Sequence, residues 1–442
     1  MELFKSLYEE FCAYIKVGDY MKNKIIIYAV LVLFLCSTAF GQKLSPAQQI
    51  SDFDDLCSKL ESVHPDLYLY QSKKEYENNK MKIKASMTDS IRISDFYFKI
   101  APFIANIKDG HSMMLPPITS DFVSYVKKDG KIMPLRIKAV KNVFVVDYPI
   151  VMNSGFNEGD TIFSINGVDS KDILKKAYDL WGSEKDNGIK EAAVNTYLSL
   201  LFWHMYRWDD SYVFMVKHGN TIEKKHLEGV PQSMAMKVRR ERLSKNKPES
   251  FSCKFSSDYT QATLIIRNVY NEKALKEFCD SVFKEINYRK IPEIIIDMRN
   301  NTGGSSQCVE RLISYFPHPE YVLYSKSQIK VSTYSKAYNK ERHPEIYSQI
   351  CNIPDGELFV VKESLIEDNR KEANLYRGKI IVLVNNKTYS GASSFAHVMN
   401  KLGIASVEGE TGCPTVYFGN FLPFTLPNSK IDYYITFAKF YE

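Results

Sequence analysis

The stretch "IIIDMRNNTGGSS", residues 294–306, sets three isoleucines directly against Asp297 and Arg299. Two asparagines, a threonine and a pair of glycines follow. A short unbroken run of β-branched residues is the pattern of a strand buried on both faces, as in a parallel sheet covered by helices. Two further runs share it, "ATLIIRNV" (262–269) and "GKIIVLVN" (378–385). Helical patterns such as "EKALKEFCDSVFKEI" (272–286) and "SFAHVMNKLG" (394–403) come between or after them. Strand alternating with helix predicts an α/β core over residues 250–442, built on a largely parallel sheet.

Open α/β sheets place their sites beyond the strand ends. Paired glycines after a strand, here Gly303 and Gly304, let backbone N–H groups face a ligand without a Cβ in the way, as an oxyanion hole requires. The same pair also suits a tight turn. The strand at 378–385 runs into "NKTYSGASSFAHVMNKLG" (386–403). A serine at such a junction exposes its Oγ at a helix N-terminus, where the partial positive charge favours a developing oxyanion. Ser390 is the candidate nucleophile, and Gly391 allows close approach of a substrate. On local pattern alone, Thr388, Ser390, Ser393 or Ser394 could equally be the helix cap.

Upstream, apolar residues recur at helical spacing from Ser45 to about Ile107, broken at His64-Pro65, which predicts a helical N-terminal region over 45–117. Strand-like "IMPLRIKAVKNVFVVDYPI" (132–150) comes next, then "GDTIFSINGV" (159–168) and a helix. That order resembles the "GD-x-I-x-x-I-N-G" stretch of PDZ domains. With the helical pattern from Gly188 and the strand "SYVFMVKHG" (211–219), it outlines a PDZ-like module over 130–225. The Lys- and Arg-rich stretch from Lys237 to Glu249 reads as a solvated linker.

Together these segments resemble one family, the tail-specific or C-terminal processing serine peptidases. "IIIDMRNNTGG" is similar to their D-[LM]-R-x-N-x-G-G signature, and "TYSGASSFA" (388–396) with "GIASVEGETG" (403–412) to their nucleophile segment. The resemblance spans roughly residues 45–440 in family order. It implies a crotonase/ClpP-like α/β core behind an N-terminal helical region and the PDZ-like module. It also implies hydrolysis of peptide bonds in polypeptide substrates, with Ser390 as nucleophile and the amides of Gly391 and of Gly303 or Gly304 as oxyanion donors. The processing peptidases pair their serine with a lysine, which would fall near Thr415, where "ETGCPTVYFG" (410–419) has none. The tricorn-like branch uses a histidine from a segment well ahead of the core, and "KDGHSMML" (108–115) resembles its D-G-H-[ST] stretch. His111 is therefore the expected base, with an ordinary pKa suited to neutral pH. In that branch an acidic residue beyond the segment matching "LPNSKIDYYITFAKFYE" (426–442) orients the base; Asp109 and Glu410 are candidates within this sequence.

Composition limits the remaining classes. The 442 residues are 45% hydrophobic and 25% charged, with a net charge of +6 and no dense basic block, so no nucleic-acid partner is expected. Residues 21–41 have the basic start, short apolar run and small-x-small ending of a secretory signal peptide, which predicts export in a bacterial cell, to the periplasm, the cell surface or the medium. Contact with a membrane is expected only through that segment left uncleaved. Six cysteines follow Gly41 at irregular spacing, without CxxC pairs, so no zinc site is expected, although an exported chain can form one or two disulfides. No metal or organic cofactor is implied. The runner-up function is a non-catalytic peptide-binding protein, and a crotonase-like enzyme acting on acyl-CoA is a distant third.

Overall fold

Ser45 caps the first described helix with a capping box. Its hydroxyl accepts from Gln48 N while Gln48 reaches back to Ser45 N, and Pro46 sits in the first turn, where its missing N–H costs nothing. The computed structural model describes residues 43–185, 188–208, 210–245 and 249–442. The signal segment expected at 21–41 lies outside them. The Pro46–Val63 helix buries Phe53, Leu56, Leu60 and Val63 along one face and stops at His64, whose following proline disfavours further helical turns. The helices Lys73–Ala85 and Ile93–Ala105 follow it along the chain.

An antiparallel sheet follows, with its strands in the order Thr221–Glu228, Ser211–His218, Thr161–Ile165, Val143–Pro149 and Leu135–Val140. Alternation governs its burial: Tyr212, Phe214 and Val216 point inward from one strand and Leu135, Ile137 and Ala139 from another. The helices Ser170–Tyr178 and Gly188–Tyr206 belong to the same segment of chain. The stretch expected as a linker is different in the structure. Gln232–Lys245 is a helix, because its residues are good helix formers and Arg242 finds both Glu158 and the face of Tyr148, 4.4 Å from the ring centre.

Beyond Phe251 the three apolar runs become strands Gln261–Ile266, Glu293–Asp297 and Lys379–Leu383, lying side by side and parallel. Ser406–Glu408 extends the sheet in parallel at one edge, and Phe251–Phe255 closes the other edge antiparallel. Glu272–Arg289 covers the sheet through Leu275, Cys279, Phe283 and Ile286, a helical stripe, and ends on Lys290 in the left-handed conformation. This is a mixed α/β fold.

A second sheet was not read from the sequence. Its strands run in the order Leu358–Val361, Lys326–Lys330, Asp432–Tyr441 and Val416–Thr425, with Met113–Met114 also pairing to Asp432–Tyr441. Residues Tyr433 to Lys439 are all buried, so this strand is covered on both faces. Tyr433, Ile435 and Phe437 join the apolar core of the N-terminal helices, whereas Tyr417 of its hairpin partner joins the core of the parallel sheet. The hairpin loop is fixed to the first helix by Asp52, which accepts from Asn428 N and Ser429 N, both at 2.7 Å. All six described cysteines carry free thiols. Among the described residues no helix is long and apolar enough to cross a membrane.

The parallel sheet sets a stability test. Ile296 is fully buried in its central strand, so Ile296→Ala should lower the unfolding free energy in urea by about 2–5 kcal/mol. Leu358→Ala, on an exposed edge strand, should change it by no more than about 0.5 kcal/mol.

Candidate active site

The ends of the two central parallel strands are zipped together by hydrogen bonds between the loops that leave them. Met298 N donates to Leu383 O, Thr388 Oγ1 to Met298 O, Asn300 N to Asn385 Oδ1 and Tyr389 N to Asn301 O. Asp297 and Arg299 take no part beyond the frame. The Asp297 carboxylate accepts from Arg299 N, Nε and Nη2 and from Arg267, and these contacts outweigh its burial to hold it below the usual carboxylate range.

Ser390 stands at the end of this zipper, at the N-cap position of the Gly391–Lys401 helix, but its side chain makes no capping bond. Its backbone has φ 50° and ψ −134°, a conformation costing an L-residue on the order of 1–3 kcal/mol. The other hydroxyls of the segment are occupied: Thr388 bonds Met298 O, Ser393 bonds Thr388 O, and Ser394 meets Tyr417 OH at 2.8 Å. Ser390 itself is half-buried, and its amide donates to Cys413 Sγ at 3.1 Å.

The two glycines of the first loop abut this serine. Gly303 has φ +100°, and a Cβ there would stand 2.7 Å from Ser390 Cβ and 3.0 Å from Gly391 N, so only glycine lets the loops meet. Gly303 N is committed to Asn301 Oδ1 at 2.9 Å. The amides of Gly304 and Gly391 have no hydrogen-bond partner among the described residues, and the two backbones touch, a Cβ on Gly391 standing 3.5 Å from Gly304 N.

His111 reaches the same place from the N-terminal region, its ring stacked on Tyr389 at 4.9 Å. Its loop is held by Asp109, a fully buried carboxylate that accepts from His111 N at 2.8 Å, His64 Nε2 at 3.3 Å and Thr436 Oγ1 at 2.5 Å. Burial pushes the Asp109 carboxyl up, but the hydrogen bond and charge of His64, with further help from His111 and Ser112, bring it below the usual range. Burial pushes His111 below its ordinary value, an effect that the charge of Asp109 opposes. No hydrogen bond joins His111 to Ser390 among the described residues. His111 Nδ1 lies 3.9 Å from Asp109 Oδ1, beyond a hydrogen bond.

Glu184, which sequence patterns did not single out, completes the cluster. Its Oε2 accepts from Gly110 N at 3.1 Å and from Tyr389 OH. One donor atom each from Asp109, His111 and Glu184 lie within 4.8 Å of one another. Burial, then the charge of Asp109, pushes the Glu184 carboxyl well above the usual range. Gly110 must be glycine here, because a Cβ would stand 2.4 Å from Tyr389 OH. Glu410, the other acidic candidate, is exposed and pairs with Lys185 at 3.2 Å. His397 faces Glu442 at 3.7 Å.

The arrangement is a serine on a strained strand-to-helix turn, two unpartnered amides beside it, and a half-buried histidine nearby. Residues 263–441 match the sequence model of peptidase family S41. Among solved structures, mature CPAF superposes with a TM-score of 0.60 at 14% identity, covering 89% of each chain. Mature CPAF complexed with lactacystin gives 0.61 at 14% identity, over 89% of this chain and 90% of that one. At this identity the likeness is one of fold. No curated protein matches the chain.

The close approach of Gly303 is open to measurement. Gly303→Ala should cost more stability than Gly356→Ala, which has a similar φ of +98° but nothing within 4 Å of its Cβ. The control pays only backbone strain, on the order of 1–3 kcal/mol, and the excess in urea unfolding reports the clash with Ser390. Equal costs would mean that the serine turn yields freely.

Proposed function

We propose that the chain is a serine peptidase hydrolysing peptide bonds in polypeptide substrates. The observation that carries this reading is Ser390, strained at a helix N-terminus with no capping bond and flanked by two unpartnered glycine amides. The match of residues 263–441 to peptidase family S41 supports it. Ser390 Oγ attacks the scissile carbonyl carbon as its proton passes to His111 Nε2. The carbonyl oxygen, now an anion, takes hydrogen bonds from the amides of Gly391 and Gly304. Gly304 fits this role better than Gly303, whose N–H is already held by Asn301. The tetrahedral intermediate collapses, His111 returns the proton to the leaving amine, and water then cleaves the acyl-enzyme by the same route in reverse.

Within this reading the core is crotonase/ClpP-like, the His111 base places the chain with the tricorn-like branch of the tail-specific peptidases, and the module at 130–225 is PDZ-like. That module binds substrate as an added strand. The segment at 21–41 directs export.

One observation favours a second reading, a peptide-binding protein without hydrolysis. No hydrogen bond joins Ser390 to His111 among the described residues, although catalytic contacts of this kind commonly tighten only on substrate binding. Labelling with a serine-reactive fluorophosphonate separates the two. The wild-type chain should label, Ser390→Ala should not, and His111→Ala should label at least about 10³-fold more slowly. A folded wild-type chain that stays unlabelled while still binding peptides would establish the second reading.

A further inference from the structure

Two buried polar atoms of this site have no hydrogen-bond partner among the described residues, and they belong to neighbouring side chains: His111 Nδ1 and Glu184 Oε1. A buried polar atom left unpaired forfeits the hydrogen bond it had in water, so two such atoms on neighbouring side chains are driven to meet. Asp109 does not compete for the ring nitrogen. Its Oδ1, 3.9 Å away, already accepts from His111 N, and its Oδ2 accepts from His64 and Thr436.

We propose that Glu184 is the positioning residue of His111: its Oε1 accepts the Nδ1–H, so that Nε2 keeps the lone pair that receives the Ser390 proton. The assignment rests on the serine peptidase reading. Glu184 is held for this task from its other side, because Oε2 is fixed by Gly110 N and by Tyr389 OH, while the Tyr389 ring stacks on the imidazole it orients. Donor atoms of His111, Glu184 and Asp109 already lie within 4.8 Å of one another, so the approach to a hydrogen bond of about 2.8 Å is short. When Ser390 gives up its proton the ring becomes an imidazolium, whose charge favours the carboxylate form of Glu184 against the burial and the Asp109 charge that oppose it. The charge is balanced in place, and Glu184 itself exchanges no proton with the substrate.

The surroundings suit such a pair. Tyr389 and Cys413 beside Ser390, and Tyr70 from the N-terminal region, are all pushed above their ordinary values by burial, so they stay neutral at neutral pH. Asp109 is a nearby charge, and both its oxygens are already bound, Oδ1 by His111 N and Oδ2 by His64 and Thr436.

The decisive variant is Glu184→Gln. The position of Oε2 must remain an oxygen, because it accepts from Gly110 N and Tyr389 OH, so the new NH2 group takes the position of Oε1. There it donates to His111 Nδ1 and drives the ring proton onto Nε2, the wrong tautomer for a base. Glu184→Gln should therefore slow fluorophosphonate labelling of the full chain by roughly 10²- to 10⁴-fold, at least as much as Glu184→Ala. A purely structural role predicts the opposite order, since glutamine preserves shape.

The tautomer can be read without turnover, by long-range proton–nitrogen correlation on the full chain carrying isotope-labelled histidine, with His111→Ala for assignment. The proton is expected on Nδ1 in the wild type and on Nε2 in Glu184→Gln. A tautomer unchanged by the substitution, or Glu184→Gln labelling at the wild-type rate, would overturn the proposal. A wild-type chain that never labels yet shows the tautomer switch would sink the peptidase reading and leave the Glu184–His111 pair standing.

Discussion

The buried carboxylate of Asp109 is the contact on which the site depends. It binds His64 at the end of the first helix, Thr436 in the middle of the last strand, and the backbone of His111 in its own loop, partners separated by 45 and 327 residues from Asp109 in the first two cases. A charge taken out of water is tolerable only when hydrogen bonds surround it, and removing one partner of such a group costs about 3–5 kcal/mol. The folded carboxyl sits below its unfolded value. Its stabilising contribution is therefore complete above the ordinary carboxylate range and is lost as pH falls through the folded value. Two distant segments are locked to one carboxylate, and the histidine loop is locked with them.

The wall against which this happens is the Asp432–Tyr441 strand. Covered on both faces, it joins the core of the N-terminal helices to the side of the molecule that carries Ser390. Met113–Met114, immediately after the histidine loop, pairs with its Tyr433 and Tyr434. The loop thus leaves one anchor, Asp109, and enters another, a strand ladder, within five residues.

On the opposite side of the site, Ser390 is held by a different device. Its strained backbone persists because the loops after two parallel strands are bonded to each other at four points, and Gly303 presses against its Cβ. A serine that merely capped its helix would relax into an extended conformation and bond the helix amides. Here the hydroxyl is left without such a bond, and the cost is borne by the zipper around it.

Much of this was legible in local pattern. The three apolar runs were strands and were parallel, as unbroken Ile and Val runs between helical segments require, and the break at His64-Pro65 ended a helix. The second sheet was not legible, because its strands mix polar and aromatic residues and pair across gaps of more than three hundred residues in the case of Met113–Met114, so no window of sequence shows the partner. Nor was the helix at Gln232–Lys245, whose charged residues read as solvent-facing until Arg242 meets Tyr148. The sequence by itself determined where a serine and paired glycines would follow strands, since strand, turn and helix N-terminus are local and short-range. Only the tertiary structure decided the electrostatics. In sequence Glu184 is an ordinary loop glutamate. Its partners Gly110 and Tyr389 lie 74 and 205 residues away, and burial beside Asp109, a property of the folded interior alone, is what raises its carboxyl.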